Sequence, residues 1–202
     1  LIPKNTTFKS KKAELTALQN SIGARLGARY GLRRQEIRAL KKRDLKRYEV
    51  SEGVYESYLD LTKGIAKNKT LPRVIFIDKK LAKDFENYFN KGAKKIETKT
   101  LTNLSDKLTK FEKQEGQAWY EHRGRIETLF KVNIKDVNDL EYAIRTFMGH
   151  DAGNNIGKIY TNFTLKDHYD FQKKFGNIIS TDLSGKDVKL KLTKENTSKK
   201  KV

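Results

Sequence analysis

The chain has 202 residues, 36% of them hydrophobic, enough for one domain with a real core and little apolar surface to spare. Its 44 Lys and Arg against 25 Asp and Glu give a net charge of +19, an imbalance that draws polyanions and also suits ribosomal proteins and acidic-lipid binders. The lack of cysteine excludes disulfides, thiolate catalysis and cysteine-bound zinc; three histidines make a multi-histidine metal site improbable, and no apolar run approaches the ~20 residues of a membrane span.

In chain order, residues 1–12 are polar and read as a linker or arm. Leu15, Leu18, Ile22 and Leu26 recur at three- and four-residue intervals, which predicts a helix with one apolar face that Gly31 stops. A second helix is predicted with Ile37, Leu40 and Leu45 inside and Arg34, Arg38, Lys41 and Lys42 outside. From Val54 the period changes to that of strands, Tyr55–Leu61 and Arg73–Ile77, around a Lys/Gly/Asn-rich turn at 63–70: a β-hairpin with a basic tip. Helical spacing returns at Leu81, Phe85, Tyr88 and Phe89, at Leu104, Leu108 and Phe111, around 123–131, and at Leu140, Ile144, Phe147 and Met148. Residues 151–158 form a Gly/Asn loop, and a last amphipathic helix is predicted from Thr164 to Phe175. Beyond it, Val188, Leu190 and Leu192 alternate like a strand that needs a partner, and the tail is lysine-rich. No internal repeat and no second core are evident. The fold class is mainly α with a small antiparallel β-sheet, α+β.

Five short motifs carry chemistry. Gly31-Leu32-Arg33 with Glu36 puts a guanidinium near a helix start, where backbone N–H groups also face anions, with a carboxylate on the same face to hold it. The hairpin turn offers Lys63, with Lys67 and Lys69 as alternatives. His122 and Arg125 are three apart, so on a helix both reach one phosphate. Gly149-His150 follows an apolar helix, and Tyr160 lies ten residues further on. Gly153 to Lys158 hints at a phosphate loop, but Ala152 and Ile159 stand where that motif needs Gly and Ser or Thr.

Each motif alone is common. In this order and at these separations they resemble the catalytic domain of tyrosine recombinases of the phage-integrase family, the DNA breaking-rejoining fold. Arg123-Gly124 departs from that family, where Asp-Leu or similar residues are more usual. The resemblance implies a site-specific recombinase or integrase that cuts and rejoins DNA through a 3′-phosphotyrosyl link, without metal, cofactor or ATP. It makes Tyr160 the nucleophile, Arg33, Arg125 and His150 donors to the phosphate, His122 a proton-transfer group, Lys63 the general acid and Glu36 a support.

The same resemblance divides the chain into an arm at 1–12, a catalytic domain at 13–177 and a C-terminal segment at 178–202 that docks on a neighbouring subunit. It implies double-stranded DNA as partner, a homotetramer on DNA, and a fragment that is monomeric alone and lacks the family's N-terminal core-binding domain. The expected compartment is the cytoplasm or nucleoid. Type IB topoisomerases and telomere resolvases use similar chemistry and remain alternatives, as does a non-catalytic basic DNA-binding protein.

Overall fold

The computed structural model describes residues 7–62, 73–97, 117–149 and 163–183, with the side chains of 117–122, 177 and 180–183 outside that set. Helix α1 (Lys11–Tyr30) starts where Ser10 accepts a hydrogen bond from the Ala13 N–H at 3.2 Å. Glu14 in its first turn and Arg29 in its last both complement the helix dipole. It ends at Gly31, whose φ of 65° is left-handed. A Cβ at Gly31 would stand 3.0 Å from Met148 Sδ and 3.0 Å from the Phe147 carbonyl oxygen, so both conformation and space require glycine there.

The second helix, expected to run through Leu45, is shorter: α2 (Arg34–Ala39) ends as Leu40 turns to a ψ of 137°. Asp44 then closes a 3-10 turn (Lys42–Asp44) by accepting the Lys41 N–H at 2.7 Å. Leu45 opens a strand instead, β1 (Leu45–Ser51), which pairs antiparallel with β2 (Val54–Asp60). β2 in turn pairs antiparallel with β3 (Val74–Ile77), the expected hairpin, in the order β1-β2-β3. Residues 63–72 between β2 and β3, with all three candidate lysines, lie outside the described residues. The register sets Leu45 opposite Leu59 and Tyr58 opposite Phe76. Alternation then sends Leu59, Ile75 and Ile77 to one face. There they join Leu18, Ile22 and Leu26 of α1 and Leu81 and Phe85 of α3 (Lys79–Asn90) in a buried cluster.

Helices α1 and α3 are antiparallel, fastened by Glu14 to Lys91 at 3.0 Å, Arg25 to Asp84, and Arg29 to Asp78 at 3.0 Å. Three further helices follow: α4 (Gln117–Asn133), α5 (Val137–Met148) and α6 (Leu165–Leu183). They form a second cluster around Ile126, Phe130, Ala143, Phe147, Phe175 and Ile179. Among the described residues the buried side chains fall into two clusters where one was expected, and Tyr30 packs against both. The last helix also runs past Phe175 to Leu183. Ile178 and Ile179, assigned from sequence to the docking segment, therefore pack on this chain's own second cluster. The helix expected at Leu104, Leu108 and Phe111 and the alternation at 188–192 lie outside the described residues.

Architecture is α+β and mainly helical with a small antiparallel sheet. Gln172 of α6 covers the outer edge of β3: its amide oxygen accepts the Phe76 N–H at 2.8 Å and its amide nitrogen donates to the Val74 carbonyl at 2.9 Å. One side chain so satisfies two of the backbone groups a further strand would have paired.

Two glycine substitutions should move stability in opposite directions in urea unfolding. Gly31→Ala is expected to cost ~1–3 kcal/mol, because it forces a positive φ on a residue with a Cβ and no room for it. Gly124→Ala, in mid-helix with nothing within 4 Å of the new carbon, should gain ~0.5–1 kcal/mol.

Candidate functional site

Arg33 is the N-cap of α2, in extended conformation two residues beyond Gly31, and is half-buried. The motif assigns Glu36 to the Arg33 guanidinium; in the structure its two oxygens hold other groups. One accepts the Arg33 backbone N–H at 2.6 Å, and the other binds Arg73 Nη1 at 2.6 Å. Glu36 and Arg73 are a buried pair, their side chains 2% and 4% exposed. Arg73 precedes β3 directly, so the pair ties the start of α2 to the strand leaving the lysine-bearing segment. The Arg73 Nε and Nη2 are buried with no hydrogen-bond partner, which makes the guanidinium dependent on that one carboxylate.

Helix α4 brings up the His122–Arg125 box. His122 lies in the helix, its side chain outside the described set, and three-residue spacing puts it on the face of Arg125. Arg125 is half-buried and its Nη2 lies 3.4 Å from the Ala28 carbonyl, in the last turn of α1. Burial pushes its guanidinium down from its ordinary value, yet an arginine remains charged in a protein. Arg123, between the two, is buried: Nη1 donates to the Gly31 carbonyl at 2.9 Å and Nη2 to the Met148 carbonyl at 2.8 Å. Both acceptors stand at helix C-termini, the ends that favour cations. Sequence reasoning marked Arg123 only as a departure; its carbonyl partners are 92 and 25 residues away.

Helix α5 ends at Gly149, left-handed at a φ of 60°, one residue before His150. His150 and Tyr160 lie outside the described residues, as does the whole of 150–162. What flanks that segment is described. Phe163 packs on Tyr142 of the same α5 with ring centroids 4.8 Å apart, and His168 Nδ1 meets the Tyr142 hydroxyl at 2.5 Å. Tyr142 and Gly149 are seven residues apart on one helix, a rise of about 10 Å. The chain therefore leaves and rejoins α5 at points close together, with Tyr160 three residues from the point of return.

Polar side chains thus link the segments that carry the candidate residues. Arg123 joins the turn before Arg33 to the turn before His150. The Glu36–Arg73 pair joins α2 to the hairpin that carries Lys63, Lys67 and Lys69. Gln172 joins that hairpin to the helix after Tyr160. Tyr30 is held by Asp78. Its hydroxyl donates to Asp78 Oδ2 at 3.2 Å, and burial, then the Asp78 charge, push its pKa up to about 12. Among the described residues no group of three or more His, Asp or Glu could hold a metal ion, and no helix is long and apolar enough to cross a membrane. Comparison with family models, curated proteins and solved structures finds no match to this chain.

Removing the Glu36 charge should be costly. Glu36→Gln is expected to lose ~3–5 kcal/mol in urea unfolding, since it strands a buried guanidinium. The double change Glu36→Leu with Arg73→Met should lose less than that single one. His168 gives a pH signature, because burial lowers its pKa below the usual imidazole value. A histidine held neutral in the fold takes up its proton first in the unfolded chain. Its contribution is therefore intact above ~6.5 and lost as pH falls below that. His168→Gln should flatten the decline in urea midpoint between pH 6.5 and 5 relative to the parent chain.

Proposed function

We propose that this chain is the catalytic part of a DNA strand transesterase of the tyrosine-recombinase type. The observation that carries the reading is the junction at Arg123. It gathers the turn before Arg33, the helix bearing His122 and Arg125, and the turn before His150, three motifs drawn from distant parts of the chain. The motifs stand far apart in the sequence, so the meeting of Gly31, Arg123 and Met148 beside them supports the reading.

In this reading the Tyr160 phenolic oxygen attacks a scissile phosphate of double-stranded DNA. The bond from phosphorus to the 5′ oxygen breaks as the bond to tyrosine forms. Arg33 and Arg125 donate to the non-bridging oxygens, where planar guanidiniums fit the charge that builds in the transition state. His150 adds a hydrogen bond and His122 takes the phenolic proton. Lys63, or Lys67 or Lys69 from the same turn, gives a proton to the departing 5′ oxygen. One phosphodiester is exchanged for another, so attack by a 5′-hydroxyl reverses the step without ATP. The net charge of +19 supplies the attraction to the duplex. A tetramer on DNA would draw on residues other than Ile178 and Ile179, which pack on this chain's own second cluster.

The test is capture of a pool of nicked duplexes in the presence of a metal chelator, followed by denaturation and peptide mapping. The expected product is a covalent DNA adduct on Tyr160 that Tyr160→Phe abolishes and that Arg33→Ala or Arg125→Ala slows by ~10²–10³-fold. An adduct that survives Tyr160→Phe would overturn the reading, and so would a DNA-bound chain that forms none, which would then be a binding protein. With an adduct in hand, relaxation of supercoils at any site would assign a topoisomerase, and exchange between two defined sites a recombinase.

A further inference from the structure

We infer that Arg123 is a positioning residue that fixes three catalytic segments against one another, a role that rests on the transesterase reading above. The residue is 5% exposed, and its guanidinium spans the Gly31 carbonyl at 2.9 Å and the Met148 carbonyl at 2.8 Å. Each candidate donor to the phosphate is two residues past a member of this junction. Arg33 follows Gly31, Arg125 follows Arg123 itself, and His150 follows Met148. A shift of the guanidinium is thus passed on through only two residues of backbone at each of the three places.

The junction is tight as well as bonded. A Cβ on Gly31 would meet Phe147 and Met148 at 3.0 Å, so the two turns already touch and Arg123 fastens a contact with no slack. Lysine cannot do the same, because a single ammonium on a flexible stem lacks the rigid fork that bridges two fixed carbonyls. In this scheme Arg123 acts on the chain's own backbone, through the Gly31 and Met148 carbonyls. Its effect is felt through Arg33, Arg125 and His150, and a displacement of about 1 Å at such groups costs on the order of 10²-fold in rate.

The experiment compares the parent chain with Arg123→Met and Arg123→Lys. The chain has no cysteine, so spin labels can be placed at Gln35→Cys on α2 and Glu141→Cys on α5 without background. The parent should give one narrow distance distribution across the junction. Arg123→Met should broaden it, and Arg123→Lys should give an intermediate width. Adduct formation on saturating nicked duplex should fall ~10²-fold in Arg123→Met and recover in part in Arg123→Lys, with DNA affinity within about threefold of the parent. A residue that serves stability alone would lower the unfolding midpoint yet leave the adduct rate of the folded molecules unchanged, which would overturn the inference. An unchanged distance distribution would overturn it too, and does so without reference to activity. Absence of an adduct in the parent chain defeats the transesterase reading and the catalytic role with it, leaving the distance measurement to judge the clamp. Should Arg123→Met fail to fold, Arg123→Lys carries both readouts.

Discussion

A buried arginine that bridges the ends of two helices is the constraint around which the two halves of this molecule are arranged. Burying a charge is expensive unless something of opposite sign meets it. Arg123 is met by the C-terminal ends of α1 and α5, through the carbonyls of Gly31 and Met148. Each helix end carries about half a negative charge, so both ends favour the guanidinium. The requirement draws α1 and α5 to one spot on α4, and Tyr30, in the last turn of α1, packs against both hydrophobic clusters at the same junction.

The same logic recurs at smaller scale, with a polar group satisfied by a partner distant in sequence. Glu36 meets Arg73 from 37 residues away, and Gln172 meets the edge of β3 from nearly a hundred. Asp78 is the densest case: it caps α3 through the Leu81 N–H, pairs with Arg29 and accepts from the Tyr30 hydroxyl. These are directional bonds with little tolerance for sliding, unlike apolar packing, which fixes proximity more loosely. In a molecule only 36% hydrophobic, they are a means of holding segments in register where the cores alone would leave play.

How much of this was legible in the sequence depended on range. Helices α1, α3 and α5 were visible because their apolar residues recur at the helical period over two turns or more. Strand β1 was not, because Lys46, Arg47 and Glu49 face solvent on a sheet edge, and Leu45 falls on the helical spacing set by Ile37 and Leu40. Glu36 was singled out for its spacing to Arg33, but its guanidinium partner, Arg73, follows a segment of different periodicity and left no local trace. Arg123 was noticed only as an oddity. Nothing in a linear string says that a side chain will find the carbonyls of two helix ends.

The candidate site inherits its character from where the acids have gone. Glu36 is spent on Arg73, Asp78 on Arg29 and Tyr30, Asp84 on Arg25, and Asp60 on Lys46. These four carboxylates fasten the scaffold, each engaged by a basic side chain from another segment. Hydrogen bonds from Lys46 and Thr62 hold the Asp60 carboxyl below its usual range despite the burial that opposes them, so it stays ionised and engaged at neutral pH.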